Sequence, residues 1–290
     1  MKKVCCIIVT YNGEKWIEKC LKSIQQSSYP IQVIVVDNYS NDNTLKIASN
    51  FDNIVIQSNT NLGFGKANNI GIQKGLELDF EYFFLLNQDT FIYEDTIENL
   101  VAELDKNPHY GILSPLHYSP NEKTLDANFQ TYLNRSFATE NHLKKVSFVN
   151  AAAWLLSRQC IEKTGLFEEL FSHYGEDRNY CDRVLYHRFS IGITEKSKIV
   201  HDRTIQRNFR KDVVQSKYAI LGTFLNINKS FTSCLFSGLK QVFGLPKYFL
   251  KFYSFILTLN LFLNLFFYYI RLFASLSKIR KTRMAHKNNE

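Results

Sequence analysis

The sequence predicts an α/β fold, a mostly parallel sheet with helices on both faces, followed by a helical region of different character. Three observations predict it. Short β-branched apolar runs alternate with segments of helical spacing through the N-terminal third. Polar clusters follow four successive apolar runs. Charge is unevenly placed: residues 231–290 hold nine Lys and Arg, one Glu and 14 aromatic residues, whereas acids and bases cancel over residues 1–230.

Val4–Thr10 reads as the first strand. Its apolar run, Val4 to Val9, passes into polar residues, which suits a buried strand better than a signal peptide. Glu14–Gln26 carries apolar Trp16, Ile17, Leu21 and Ile24 at helical spacing. IQVIVVDN (31–38) suits a strand buried on both faces. SNDNTLKIASN (40–50) opens on capping residues and continues as a short helix. NIVIQS (53–58) is a third strand, NLGFGKANNIGIQKGL (61–76) a Gly-rich loop entering a helix, and YFFLLN (82–87) a fourth strand. A helix is expected over 94–105. From about 110 to 165 the pattern loosens. Within and after it, VSFVNAAAWLLS (146–157) reads as a buried strand, 165–188 as a loop and helix, and SKIVHD (197–202) as a last short strand.

Right-handed crossovers place the C-terminal ends of parallel strands along one edge, where open α/β sheets bind ligands. The polar clusters fall there: Thr10, Tyr11 and Asn12; Asp37 and Asn38; Asn59, Asn61 and Gly63; Asn87, Gln88 and Asp89. At 290 residues and 45% hydrophobic, the chain can bury a sizeable core, which excludes global disorder. Its six cysteines show neither CxxC pairs nor His/Cys ligand spacing and read as reduced, mostly buried thiols of a cytosolic compartment.

TYNG (10–13), VVDNYSND (35–42), NLGFGKANNIGI (61–72), LLNQDT (85–90), GLFEELF (165–171) and EDRNYCDR (176–183) occur in that order over residues 3–203. Together they resemble glycosyltransferase family 2, in particular its bacterial rhamnosyltransferase-like members that build surface polysaccharides. The resemblance implies a GT-A fold, inverting transfer, a nucleoside-diphosphate sugar donor and Mg²⁺ or Mn²⁺. The donor it suggests is dTDP-rhamnose-like or a UDP-hexose. It places a catalytic domain at 1–205, with a nucleotide-sugar half at about 1–110 and an acceptor half at about 111–205, and a separate region at 206–290. A sugar nucleotidyltransferase shares the topology but needs a Gly-rich, Arg-containing loop after the first strand, which TYNGEKW lacks. A non-catalytic sugar- or membrane-binding protein is the other alternative, and retention of both Asp89 and Asp177 argues against it.

Transfer needs a cation to hold the leaving diphosphate and a carboxylate to take the acceptor proton. By resemblance, Asp89 is the metal-ligating carboxylate and Asp177 the base. Asn87 stands where the family has a first acid and brings no charge. Asp89 alternatively ends a strand and caps the following helix. Glu176 is the rival base and otherwise belongs, with Trp154 and Tyr180, to the acceptor or sugar site. Asp37 is expected to read the N3–H of a pyrimidine, or else to cap the helix near Asn43. Thr10, Tyr11 and Asn12 would frame the base. Asn61, Gly63, Gly65, Lys66, Asn68, Asn87 and Gln88 would contact the nucleotide. Lys66 is a diphosphate cation or a surface lysine, His201 a further metal or diphosphate contact or a structural residue, and Trp154 a sugar floor or core.

Phe252–Ile270 is an uncharged run of 19 residues, interrupted by Ser254, Thr258, Asn260 and Asn264. On a helical wheel these polar residues, with Lys247, Lys251, Arg271 and Ser275, occupy about half the circumference. A single span would send the basic tail (Lys278, Arg280, Lys281, Arg283, Lys287) outward, against the positive-inside tendency. One or two helices lying in the interface at the cytoplasmic face of a bacterial inner membrane are therefore expected, with the tail on anionic lipid. Packing inside the protein or against a second copy is the alternative, so a homo-oligomer stays open. The expected partners are the donor, a lipid-linked saccharide acceptor and an anionic membrane surface, without nucleic acid.

Overall fold

A computed structural model describes residues 1–203 and 207–288. The first half comprises β1 (Val4–Thr10), α1 (Ile17–Gln25), β2 (Ile31–Asp37), α2 (Thr44–Ala48), β3 (Ile54–Gln57), α3 (Phe64–Glu77), β4 (Tyr82–Asn87), β5 (Thr90–Ile92) and α4 (Thr96–Lys106). Then follow β6 (Tyr110–Tyr118), α5 (Ala127–Leu133), β7 (Ala138–Glu140), β8 (Leu143–Lys145), β9 (Ala153–Ser157), α6 (Arg158–Thr164), α7 (Glu176–Tyr186) and β10 (Ser190–His201). Four helices close the chain: α8 (Phe209–Leu225), α9 (Phe231–Phe249), α10 (Phe255–Ala274) and α11 (Leu276–Lys287).

The strands form one sheet in the order β3-β2-β1-β4-β9-β6-β10-β8-β7, with β5 beside β10. β1 pairs parallel with β2 and β4, and β2 with β3. Successive side chains of a strand point to opposite faces. Cys6 and Ile8 accordingly enter one core, with Leu21 and Ile24 of α1 and Leu100 and Leu104 of α4. Cys5 and Ile7 enter the other, with Ala67 and Ile72 of α3 and Cys181 and Val184 of α7. Burial on both faces explains why β1 and β2 read as continuous apolar runs. All six cysteines are buried free thiols.

Two expectations change beyond residue 110. Only Ala153–Ser157 of the 146–157 run is strand, because β9 reverses to pair antiparallel with β4 and β6. The last strand spans Ser190–His201, about twice the expected length, since it runs along β6 and then meets β5.

The C-terminal helices build a third core from Leu221, Phe224 and Leu225 of α8, Val242 of α9, Leu261, Leu265 and Leu272 of α10 and Ile279 of α11, joined by Phe171. A Cβ on Gly238 of α9 would come 2.6 Å from the Phe224 ring, so these helices pack closely. The expected lipid-facing tail is corrected in part. Arg283 is buried and donates to the carbonyls of Phe224 (2.9 Å) and Lys229 (2.7 Å), and His286 Nε2 lies 3.0 Å from Glu168 Oε2. The Phe224 carbonyl lies in the last turn of α8, where carbonyls lack a helical partner, and here the tail supplies the donor. Thr258, expected on the polar face of α10, lies on the buried face with Leu261, Leu265, Tyr269 and Leu272. Among the described residues, α10 is the one helix long and apolar enough to cross a membrane by length and composition.

Candidate active site

A cleft of two adjoining cavities opens at the C-terminal edge of the parallel strands. The first, about 580 Å³, is lined by Tyr11, Asn38, Asn61, Gly63, Asn87, Gln88 and Asp89, among others. The second, about 640 Å³, is lined by Asp177, Glu176, Arg178, Asp182, Asn150 and Arg203, and walled by α5 and α8. Phe64, Asn87 and His173 line both, so the cavities meet at the end of β4.

Hydrogen bonds among the strand ends shape the first cavity. Gln88 Oε1 accepts from Thr10 Oγ1 (2.6 Å) and the Tyr11 N–H (2.9 Å), clamping the ends of β1 and β4 together. Asn12, at φ +46°, accepts the Asn41 N–H through its side chain (3.0 Å). Asn61 Oδ1 accepts from the Gly63 N–H (3.0 Å) and Asn38 Nδ2 (3.1 Å), which folds the loop before α3. Gly63 has φ +81°, and a Cβ there would overlap the Ser172 carbonyl. Only glycine permits this approach of two loops. Asp37 is buried. Its Oδ2 accepts from the Ser40 N–H (3.2 Å), and Oδ1 has no partner among the described residues. Asp37 lines neither cavity, so the expected contact of its carboxylate with a pyrimidine N3–H is corrected: burial beneath the Ser40 turn keeps it from the cleft. Asp37 does not cap α2, whose N-cap position is Asn43.

Asp89 and His201 are 112 residues apart in the chain and adjacent in space. The β5–β10 ladder pairs Thr90 with His201, the Asp202 N–H donates to the Asp89 carbonyl (2.8 Å), and Asp89 Oδ1 lies 3.5 Å from His201 Nε2. His201 is buried and its Nδ1 has no partner among the described residues. A carboxylate oxygen and an imidazole nitrogen are donor types that Mg²⁺ or Mn²⁺ accepts, and of the two residues Asp89 lines the first cavity while His201 lies behind it, lining neither. No cluster of three or more His, Cys, Asp or Glu suited to a metal forms among the described residues.

On the other side, Glu176 and Asp177 open α7, where the helix dipole favours anions. Burial raises the Asp177 carboxyl above its ordinary value, and the Arg178 N–H (2.7 Å to Oδ1), the Arg178 charge and the Ala151 N–H partly offset this. Glu176 is pushed up to about 7 by burial and then by the charge of Asp177. Burial thus works against the charged form of both neighbours, and the carboxylate of Asp177 adds to it at Glu176. Burial also lifts Asp182 to about 6. Arg203 grips Asp126 through Nε (2.9 Å) and a terminal nitrogen (2.8 Å), holding that carboxyl below its usual value despite burial.

Several site expectations are corrected. Lys66 lies 3.7 Å from Glu169 and lines neither cavity. Asn68 is buried and donates to the Phe64 carbonyl of its own helix (3.0 Å). Gly65 packs against Phe167 and Glu176, so its close approach is to protein. Trp154 and Tyr180 are wholly buried, stacked with Phe167 in the core, and line neither cavity. Thr10 is buried and acts through Gln88. Sequence reasoning missed Asn150, Tyr132, Arg203 and His173, and from α8 Lys211, Gln215 and Tyr218. Asn150 and Tyr132 lie where the period was loose, and Lys211, Gln215 and Tyr218 lie beyond the expected domain end. Asn69 was also missed; it clasps Phe167 by accepting its N–H (2.8 Å) and donating to its carbonyl (2.9 Å).

The parallel β3-β2-β1-β4 half-sheet, continued by antiparallel β9 and carrying a two-part polar cleft at its C-terminal edge, is the GT-A fold. A model of glycosyl transferase family 2 matches residues 5–165, and the chain belongs to that family. It is 26% identical over 239 residues to a low-salt glycan biosynthesis hexosyltransferase of Haloferax volcanii, covering 79% of this chain and 76% of that protein. It is 26% identical over 257 residues to a dTDP-rhamnosyl transferase of Shigella flexneri, covering 82% and 84%. Among solved structures, residues 1–349 of S. aureus TarS in complex with UDP-GlcNAc superpose with a TM-score of 0.66 at 15% identity, covering 98% of this chain and 89% of that one. A mannosyltransferase of Pyrobaculum calidifontis in complex with GDP-Man and Mn²⁺ gives 0.63 at 15% identity, covering 98% and 86%.

Proposed function

We propose that the protein is an inverting, metal-assisted glycosyltransferase that moves a sugar from a nucleoside-diphosphate donor to a lipid-linked saccharide at a membrane surface. The observation that carries this reading is the junction at Asn87: one cavity leads from it to the nucleotide-type pocket, the other to Asp177. The donor base lies against Tyr11 in the first cavity, beside Asn38 and Asn61. The likeness to dTDP-rhamnosyl and UDP-GlcNAc enzymes supports a dTDP-rhamnose-like or UDP-hexose donor. Asp89 and His201 would hold Mg²⁺ or Mn²⁺, which when bound neutralises charge on the diphosphate. Asp177 takes the proton of the acceptor hydroxyl as its oxygen bonds to the anomeric carbon. The bond from that carbon to the diphosphate breaks, and the nucleoside diphosphate leaves with the electron pair. The carboxyl raised by burial is better matched to proton abstraction near neutrality than an ordinary Asp. Glu176, protonated, is suited to donate to a donor or acceptor oxygen.

The acceptor lies in the larger cavity, where Lys211, Gln215 and Gln241 of α8 and α9 offer hydrogen bonds to sugar hydroxyls. The change of architecture near 205 is therefore not a change of function. Membrane attachment is supported by the outer face of α10, where Phe255, Ile256 and Phe267 are exposed. Nucleoside-diphosphate release measured across a donor panel, with and without Mn²⁺, tests the reading. Asp89→Ala is expected to abolish turnover with the fold intact. Full activity of that variant, or undiminished turnover in excess chelator, removes the metal role.

A further inference from the structure

We infer that the groove between α8 and α10 is a binding site for the phosphate of an anionic phospholipid headgroup. This rests on the reading of the C-terminal helices as membrane-facing. A cavity of about 440 Å³ is lined there by Lys217, Asn260, Asn264, Arg271, Leu263, Phe267 and Tyr268. Lys217 Nζ donates to Asn264 Oδ1 (2.9 Å), and Asn264 Nδ2 donates to Asn260 Oδ1 (2.8 Å). This chain of amides orients the lysine but does not neutralise it. Among the described residues no carboxylate pairs with Lys217 or Arg271, whereas Arg158, Lys196, Arg203 and Arg207 each have one. Asp212, five residues before Lys217, pairs with Arg207; between Asp212 and Glu290 there is no acidic residue and there are eleven Lys and Arg. Two cations and two amides in one groove want a phosphate-type anion.

The position of the groove selects the source of that anion. The buried face of α10 carries Thr258, Leu261, Leu265, Tyr269 and Leu272. Its opposite face exposes Phe255, Ile256, Leu259, Leu263, Phe266, Phe267, Ile270 and Phe273. At 100° per residue, Asn260, Asn264 and Arg271 form a strip between the two. Leu263 and Phe267 belong to both the stripe and the groove. A helix whose apolar face enters the acyl boundary holds its cationic rim at headgroup level. The phosphate of a lipid in that leaflet then meets Lys217 and Arg271 while its chains continue along the stripe.

The test is vesicle sedimentation of the full chain on pure phosphatidylcholine and pure phosphatidylglycerol. Wild type is expected to prefer phosphatidylglycerol. Lys217→Ala with Arg271→Ala is expected to weaken binding to it by more than about thirtyfold, the loss that diffuse attraction at about 1 kcal/mol per basic residue would at most give for two charges. Binding to phosphatidylcholine should not change. Lys217→Arg with Arg271→Lys should restore the preference and guards against misfolding of the alanine variant. Lys278→Ala with Lys281→Ala removes the same charge from exposed positions of α11 and should cost only a few-fold. Equal losses for the two alanine pairs mean diffuse attraction and overturn the site, as does a wild type indifferent to headgroup. Stabilisation by inorganic phosphate without a vesicle preference makes it a soluble-anion site and overturns the lipid assignment. A dimer in sedimentation velocity that Phe267→Ser abolishes, with no vesicle binding, assigns the face to a second copy and overturns it too. Affinity for UDP and dTDP, measured on the same samples, should stay at the wild-type value; absence of binding to both in wild type instead refutes the transferase reading.

Discussion

Glu176→Gln separates the two adjacent carboxylates of α7 and measures what burial does to one of them. Glu176 is almost fully buried, its Oε2 has no partner among the described residues, and its carboxyl titrates at about 7 against an ordinary 4.5. The folded-state value is raised, so the neutral form is the one the fold tolerates. Stability from this group is complete below about pH 4.5 and is lost as pH climbs through about 7. A shift of this size corresponds to roughly 3 kcal/mol between the two ends of that window. Glutamine keeps the shape and cannot ionise, so the variant should lack this component of the pH dependence. Urea unfolding of wild type and variant at pH 5 and pH 8 gives the difference of differences, in which other titrating groups cancel. Wild type should lose about 3 kcal/mol more than the variant on going to pH 8. Identical pH slopes would show that Glu176 is charged and solvated in the folded protein, and its raised carboxyl would fall with it.

Asp177→Asn keeps the volume and cannot take a proton; turnover should fall by about 10²–10⁴-fold with donor affinity little changed, read from nucleoside-diphosphate release beside donor titration. If Glu176→Gln is the inactive variant instead, the base has been placed one residue out. Gly63→Ala puts a Cβ into the Ser172 carbonyl at φ +81°. Forcing a non-glycine residue into that backbone region costs on the order of 1–3 kcal/mol, so UDP affinity should drop by about tenfold or more, and wild-type calorimetric affinity would refute the loop contact.

The N-terminal half of the fold was legible because β1, β2 and β4 are buried on both faces and their apolar runs stop where the sheet stops. The bounds Val4–Thr10 and Tyr82–Asn87 could be read directly. Asp89 was legible as a site residue because it follows a buried strand in a rim of polar residues. His201 was harder, since its approach to Asp89 is made by a ladder between β5 and β10 across more than a hundred residues. The wall of the second cavity was not legible. Arg203 and Tyr132 are placed by antiparallel returns and a short helix that leave no period in the chain, and Lys211 and Gln215 face the cleft only because α8 packs on α7.

Trp154 and Lys66 show the converse. Their types suggested a sugar platform and a diphosphate cation, but side-chain direction decided otherwise. Alternation along β9 turns Trp154 inward against Phe167, and the position of Lys66 on α3 carries it toward Glu169. Periodicity and composition by themselves determined the alternating α/β order, the polar rim and the apolar, acid-free C-terminal region, because each is a property of neighbours in the chain. Tertiary structure decided which rim residues share a cavity, which carboxylate keeps its proton, and which side of α10 remains uncovered. Those depend on burial and on distances between residues far apart in sequence, and neither is encoded in any local window.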